Sequence, residues 1–279
     1  MRFLFSLFLL AGLAGVPSLP AQAVLGTDNA SAGAYSGGWN NGSDGFITGE
    51  GAYGQWFLTG SNPGAAGFQI ASVSTLGGSS TLNSNGVSFG MFGNVGNQAD
   101  AYRFIDPSGL SSGQTFSIQL AVNYRNGYKG FDLRGETAGD PTLFNFNVGG
   151  DDYTVNNAAS GNGSIGNAYS SDSIFTLAFT QTSSTGGSWS ITRSGGISDF
   201  DTGTYSGVAR SFKLYVGGTD GNAQDFLFVN NLATVPEPSV VGLAGLAALG
   251  LAGRRMLRQW PGVSSMRGGV RQRRAASRA

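Results

Sequence analysis

Between Thr115 and Tyr124 the chain reads TFSIQLAVNY. Phe116, Ile118, Leu120, Val122 and Tyr124 fall on every second position, and the residues between them are mostly smaller or polar. A period of two gives an extended strand one buried face and one solvated face. The same alternation recurs at Val87, Phe89 and Met91, at Phe144, Phe146 and Val148, and at Phe175, Leu177 and Phe179. It returns at Trp189 and Ile191, and at Phe212, Leu214 and Val216. Gly, Asn, Ser and Asp punctuate the runs, as turns require. No long stretch between Val24 and Thr234 carries a helical period.

About a dozen short strands in a unit of roughly 210 residues are enough for one β domain with a sizeable core. The expected fold is all-β: an antiparallel β-sandwich of the jelly-roll, concanavalin-like kind. There is no fixed-period repeat, which argues against a propeller, a β-helix or a solenoid. Asn126-Gly127, between two strand-like runs, predicts a hairpin, because both positions of a tight turn favour φ > 0. The last run, DFLFVNNL from Asp225 to Leu232, is apolar on both faces and reads as a central strand.

Composition narrows the function. Charged residues make up 11% of the chain, and 19 Phe with 11% aromatics supply a core, so wholesale disorder is ruled against. The net charge of zero conceals an asymmetry. Val24 to Thr234 holds 7 basic and 15 acidic residues, a formal charge of −8, whereas eight arginines lie from Arg254 onward with no acid among them. An acidic body argues against nucleic acid as a partner. The chain has no Cys and no His, which excludes zinc sites built on them, Ser-His-Asp and Cys-His catalysis, and disulfides.

Both ends are directed at a membrane. Residues 1–23, MRFLFSLFLLAGLAGVPSLPAQA, have a positive start at Arg2, an apolar run, and small residues Ala21 and Ala23 at the −3 and −1 positions. The pattern is expected as a signal peptide, cut by signal peptidase after Ala23, an uncleaved anchor being the other reading. At the other end, Val240 to Gly253 is unbroken Val, Gly, Leu and Ala, expected as a transmembrane helix over 239–253, short of the ~20 residues of a comfortable span. Arg254 and Arg255 would hold its far side in the cytoplasm, leaving the body outside. Pro236, Glu237 and Pro238 precede the helix. Their prolines keep the stretch extended and make it resist joining a sheet or a helix.

Proline-glutamate-proline, apolar helix and arginines, in that order over residues 235–255, resemble the PEP-CTERM sorting signal of Gram-negative bacteria. The resemblance implies that an exosortase-type membrane protease recognises Pro236, Glu237 and Pro238 and removes the helix. The destination it implies is the cell surface or extracellular matrix of bacteria that make exopolysaccharide. The chain departs from the pattern in one respect: 24 residues follow Arg255, where such chains stop soon after the arginines. This 256–279 tail is basic and expected to be disordered. The body, 24–234, resembles a recurrent group of exported bacterial proteins with the same tail, through GGWNNGSDGF (37–46), Gln55-Trp56-Phe57, GNQADAYRF (96–104), GQTFSI (113–118) and LFNFNVGGDDY (143–153). That likeness implies a fold neighbourhood and supplies no activity.

Chemistry in the body is sparse. Glycoside hydrolysis needs two carboxyl groups flanking a sugar. Glu50 and Glu136 are the body's only glutamates, the Glu-x-Asp-x-x-Glu strand motif is absent, and most aspartates sit in turn contexts. Calcium, which takes several oxygens from loops, has candidate ligands in Asp151, Asp152, Asp199, Asp201 and Asp220. Turn aspartates are the alternative for each. Sugar binding needs flat aromatic surface near amides. Trp39, beside Asn40 and Asn41, is the candidate platform with Asn41, core packing being the other reading. Trp56, Tyr35, Tyr53 and Tyr205 are further candidates, and Trp189 reads as core. No phosphate-loop or dinucleotide fingerprint occurs. The expected function is that of a non-enzymatic surface or matrix protein associating with exopolysaccharide. A calcium-assisted, lectin-like module is the second reading, and a glycoside hydrolase the third.

Overall fold

Phe116, Ile118, Leu120 and Val122 project from one strand into the interior, and each is fully buried. Around it the chain forms two stacked antiparallel sheets in a computed structural model that describes residues 25–44, 53–73, 80–106, 108–135, 141–166, 168–222 and 225–236. The larger sheet runs β13 (Asp199–Ser206), β12 (Gly186–Ser194), β11 (Ile174–Ser183), β6 (Gln114–Val122), β15 (Leu227–Pro236), β4 (Ser88–Gly93) and β3 (Ala66–Ala71). A short eighth strand, β1 (Gly26–Asp28), also pairs with β15. The smaller sheet runs β10 (Gly163–Ser164), β9 (Thr154–Asn156), β8 (Thr142–Asn147), β7 (Tyr128–Arg134), β14 (Ser211–Gly217), β5 (Gln98–Phe104) and β2 (Phe57–Gly60). The expected all-β antiparallel sandwich is the fold observed.

Each alternating run places its apolar set between the sheets. Phe116 and Phe179 from the larger sheet meet Phe131 and Phe212 from the smaller one, with near-parallel rings such as Phe131–Phe179 at 5.2 Å and Phe116–Phe212 at 5.3 Å. Strand β15 is central, between β6 and β4, and both of its faces are covered. Leu227 and Val229 face the main core, and Phe228 joins a second cluster with Val73, Leu82, Ala121, Ile174 and Phe226.

The double asparagine in this strand has a structural task. Asn230 pairs with Gln119 but Ala233 pairs with Ser117, so one extra residue is accommodated in β15. Asn231 absorbs it with φ of 54°, a left-handed conformation that Asn tolerates better than most residues. The bulge resets the inward set from Leu227 and Val229 to Leu232 and Thr234. Asn230, fully buried, accepts a hydrogen bond from the Ala30 amide at 2.9 Å and donates to the carbonyls of Leu82 and Val87, each at 3.0 Å.

The Asn126-Gly127 hairpin does not form. Strands β6 and β7 lie in different sheets, so residues 123–127 cross from one sheet to the other. Gly127 has φ of 73°, but Asn126 is not among the residues with positive φ, and a tight type I′ turn needs both. Asn126 instead donates from Nδ2 to Asp220 Oδ2 at 2.9 Å.

A buried charge ties β1 into the sandwich. Arg103 of β5 has no exposed surface and is ion-paired with the equally buried Asp28 of β1. It reaches Asp44 at 3.1 Å and donates to the Gly54 carbonyl at 2.6 Å. Its guanidinium lies 4.8 Å from the Trp56 ring and 5.0 Å from the Tyr53 ring. Tyr35 donates its hydroxyl to Asp28 as well.

Candidate functional site

The sorting segment begins where the central strand ends. Val235 and Pro236 stand in register with Thr115 and Gln114 of β6. Pro236 therefore closes the sheet, contrary to the expectation that it would stay out of one. A proline lacks only the donor, and the last position of a strand tolerates that loss. On the opposite side of β15, the Leu25 amide donates to the Thr234 carbonyl at 2.9 Å, and Gly26 pairs with Thr234. The residues just after the expected signal cleavage site thus lie beside the residues just before the sorting motif. Glu237, Pro238, Arg254, Arg255, the expected helix over 239–253, the basic tail, and Ala21 and Ala23 lie outside the described residues. Among the described residues, no helix is long and apolar enough to cross a membrane.

The aromatic candidates are taken up by the core. Trp39 is 3% exposed, its ring 5.0 Å from Trp56, 5.3 Å from Phe68 and 4.8 Å from Phe89. This corrects the platform reading: neighbouring rings already occupy its surface. Trp56, Tyr35, Tyr53 and Tyr205 are buried too, and Trp189 is in the core as expected. Asn41 is exposed, and its Oδ1 accepts from the Leu58 amide at 3.0 Å.

The candidate calcium ligands scatter over loop and edge positions. Asp152 Oδ1 accepts from the Tyr153 amide and from Ser164 Oγ, both at 2.8 Å. Asp199 and Asp201 lie along the exposed edge strand β13, where each accepts the amide of the following residue at 2.8 Å. Asp151 offers its backbone oxygen to Arg125. Asp220 Oδ1 accepts from the Asn222 amide at 3.2 Å and from Asn222 Nδ2 at 2.7 Å, an Asx-type turn. Among the described residues, no group of three acidic side chains converges as a metal site would require.

Sequence reasoning missed a groove of about 580 Å³ at one end of the sandwich, lined by Tyr124, Arg125, Asn126, Gly127, Gly150, Asp151 and Tyr169. Tyr124 was expected to continue the inward face of β6. The strand stops at Val122, and Tyr124 is 53% exposed. Tyr169 is 43% exposed, and the two rings lie 5.9 Å apart, inclined at 57°. Arg125 donates to the Asp151 carbonyl at 2.6 Å, and its guanidinium carbon is 5.2 Å from the Tyr153 ring and 5.9 Å from Tyr169. The Gly150 amide returns a bond to the Arg125 carbonyl at 2.7 Å. Tyr169 donates its hydroxyl to the Asn123 carbonyl. The one available signal was the run Tyr-Arg-Asn-Gly, in which turn residues follow the tyrosine directly and end the strand.

Behind the groove lies a charged cluster. Lys129 is fully buried and donates to the carbonyls of Tyr124, at 2.8 Å, and Asp225. Burial pushes its pKa down to about 8, against the pull of Asp225 and Asp220. Asp225 is 1% exposed, and its carboxyl contacts that of Asp220. Burial first, and then the Asp220 carboxylate, push Asp225 up to about 6, while Lys129 opposes the rise. Asp220 is held below its usual value, first by the hydrogen bond from Asp225. The pair therefore shares a proton in mildly acidic solution.

Residues 234–256 match the PEP-CTERM protein-sorting motif. The motif implies export, sorting to the cell surface and processing by an exosortase. No curated protein matches the sequence. Among solved structures, a carbohydrate esterase of the Shiga toxin-encoding bacteriophage phi24B is similar at 14% identity and a TM-score of 0.44, over 78% of this chain and 100% of that one. A Caenorhabditis elegans galectin is similar at 17% identity and a TM-score of 0.31, over 45% of this chain and 84% of that one. Trypanosoma rangeli sialidase is similar at 12% identity and a TM-score of 0.40, over 79% of this chain and 32% of that one.

Proposed function

We propose that a chain carrying this sorting motif works as a non-catalytic surface or matrix protein that associates with exopolysaccharide. Its precursor is held in the inner membrane by the apolar helix over 239–253. An exosortase-type protease then cuts at Pro236-Glu237-Pro238 and frees the sandwich. The observation that carries this reading is the sorting motif at residues 234–256, joined without a linker to a strand of the folded body. A cut beyond Pro236 would leave β15, and with it both sheets, complete.

A role without catalysis is supported by the placement of the acids. Asp220 and Asp225 touch, whereas a glycosidase keeps its two carboxyls roughly 5–10 Å apart to admit a sugar and a nucleophile. Asp28 and Asp44 are paired with Arg103, and the aspartates considered as calcium ligands serve turns and strand edges.

The test is the intact mass of the protein recovered from the surface fraction of the native cell. The expected species begins at Val24 and ends near Pro236. A species that retains the apolar helix and the arginines would replace this reading with that of a permanently anchored protein.

A further inference from the structure

We propose that the groove between Tyr124 and Tyr169 is a binding site for a neutral pyranose unit of a polysaccharide. The proposal rests on the surface reading above for the source of the sugar, and on the groove itself for the chemistry.

Exposed aromatic surface is the first support. Among the described residues, Tyr124 and Tyr169 are two of the six large hydrophobic residues exposed to solvent. Both fall in one groove, at a mutual inclination of 57°. A pyranose presents a flat face of C–H groups that packs on such rings, and its edge carries hydroxyls. Asn126 and Asp151 bring amide and carboxylate oxygens to the same groove, where they can accept from those hydroxyls. The volume, about 580 Å³, falls within the ~300–1,000 Å³ of small-molecule sites.

Rigidity is the second support. The walls are loops, yet each is tied down: Arg125 to Asp151, Gly150 to Arg125, Lys129 to Tyr124, and Asn126 to Asp220. The Tyr169 hydroxyl is committed to the Asn123 carbonyl, so this residue offers its ring rather than its oxygen. A ligand entering here orders little that is not already ordered.

Charge selects between sugars. The body carries 15 acidic against 7 basic residues; at the groove Asp151 offsets Arg125, whose guanidinium is held on the Asp151 carbonyl, and behind it Asp220 and Asp225 outnumber Lys129. A polyuronate would meet that field unfavourably, whereas a neutral chain is indifferent to it.

The experiment is native affinity electrophoresis of the full chain in mild detergent. Separate gels contain galactomannan, dextran, the producing cell's own exopolysaccharide, or polyanionic alginate. Retardation by at least one neutral polysaccharide is expected. Tyr124→Ala and Tyr169→Ala should each weaken it by about tenfold, and Tyr124→Phe should keep it. Unchanged thermal unfolding of the alanine variants will separate loss of contact from loss of fold. Migration unaffected by every polysaccharide, equal retardation of the alanine variants, or retardation by alginate alone would each overturn the proposal. A processed surface protein that no polysaccharide retards would sink the groove and leave the sorting reading standing.

Discussion

Asp225 is buried within reach of both a lysine and a second carboxylate, and its two neighbours pull in opposite directions. Its folded pKa, about 6, stands above the model-peptide value of 3.8. The folded state therefore holds a proton that the unfolded chain releases, and stability is lost as pH rises through the folded value. Asp220, displaced downward, has its effect below pH 3.8, and Lys129, lowered from 10.5 to about 8, has its effect above pH 8. Between those limits Asp225 dominates this cluster. The melting temperature is expected to fall by a few degrees between pH 4 and pH 6.5 and then level off. In Asp225→Asn, which carries no titrating proton, scanning calorimetry across the same range should show a visibly flatter dependence. An equally steep fall in the variant would place the effect elsewhere.

At the scale of elements, β15 depends on one residue. Asn231 holds the bulge in a left-handed conformation and is bonded to Ser84 and Gln119. Asn231→Val would force a β-branched side chain into that conformation and remove both bonds, at an expected cost of about 2 kcal/mol, read as a drop of roughly 4–8 °C in the melting temperature. A drop of less than about 1 °C would mean that the bulge moves to a neighbouring residue at little cost. The strands themselves could be read in advance, because a buried face forces a period of two wherever Phe, Leu and Ile recur. Central placement of β15 was likewise visible in its two apolar faces. Asn126-Gly127 misled because turn chemistry fixes a local bend but not which sheet receives the next strand. The groove was hidden for a related reason. Tyr124, Asp151 and Tyr169 come from three separate connections, and only the closed sandwich brings those connections to one end. Trp39 shows the converse: a glycine-rich neighbourhood suggested exposure, and tertiary packing decided otherwise.

For the molecule as a whole, the sorting motif and the fold share Thr234, Val235 and Pro236. Changing Pro236-Glu237-Pro238 to alanines should leave the sandwich folded, since alanine supplies the strand end with a donor it never used. It should nevertheless abolish release, with most of the protein remaining in the inner-membrane fraction on immunoblotting. Normal release of the variant would show that the protease reads another feature. The position of β15 also fixes when the body can close. This strand fills the middle of the larger sheet, yet among the described strands it is the last to be made. Until Leu227–Pro236 exists, β6 and β4 have no neighbour between them and β1 has no strand to pair with. The sandwich therefore cannot assemble progressively from its first strands: its closure waits on the arrival of the final one.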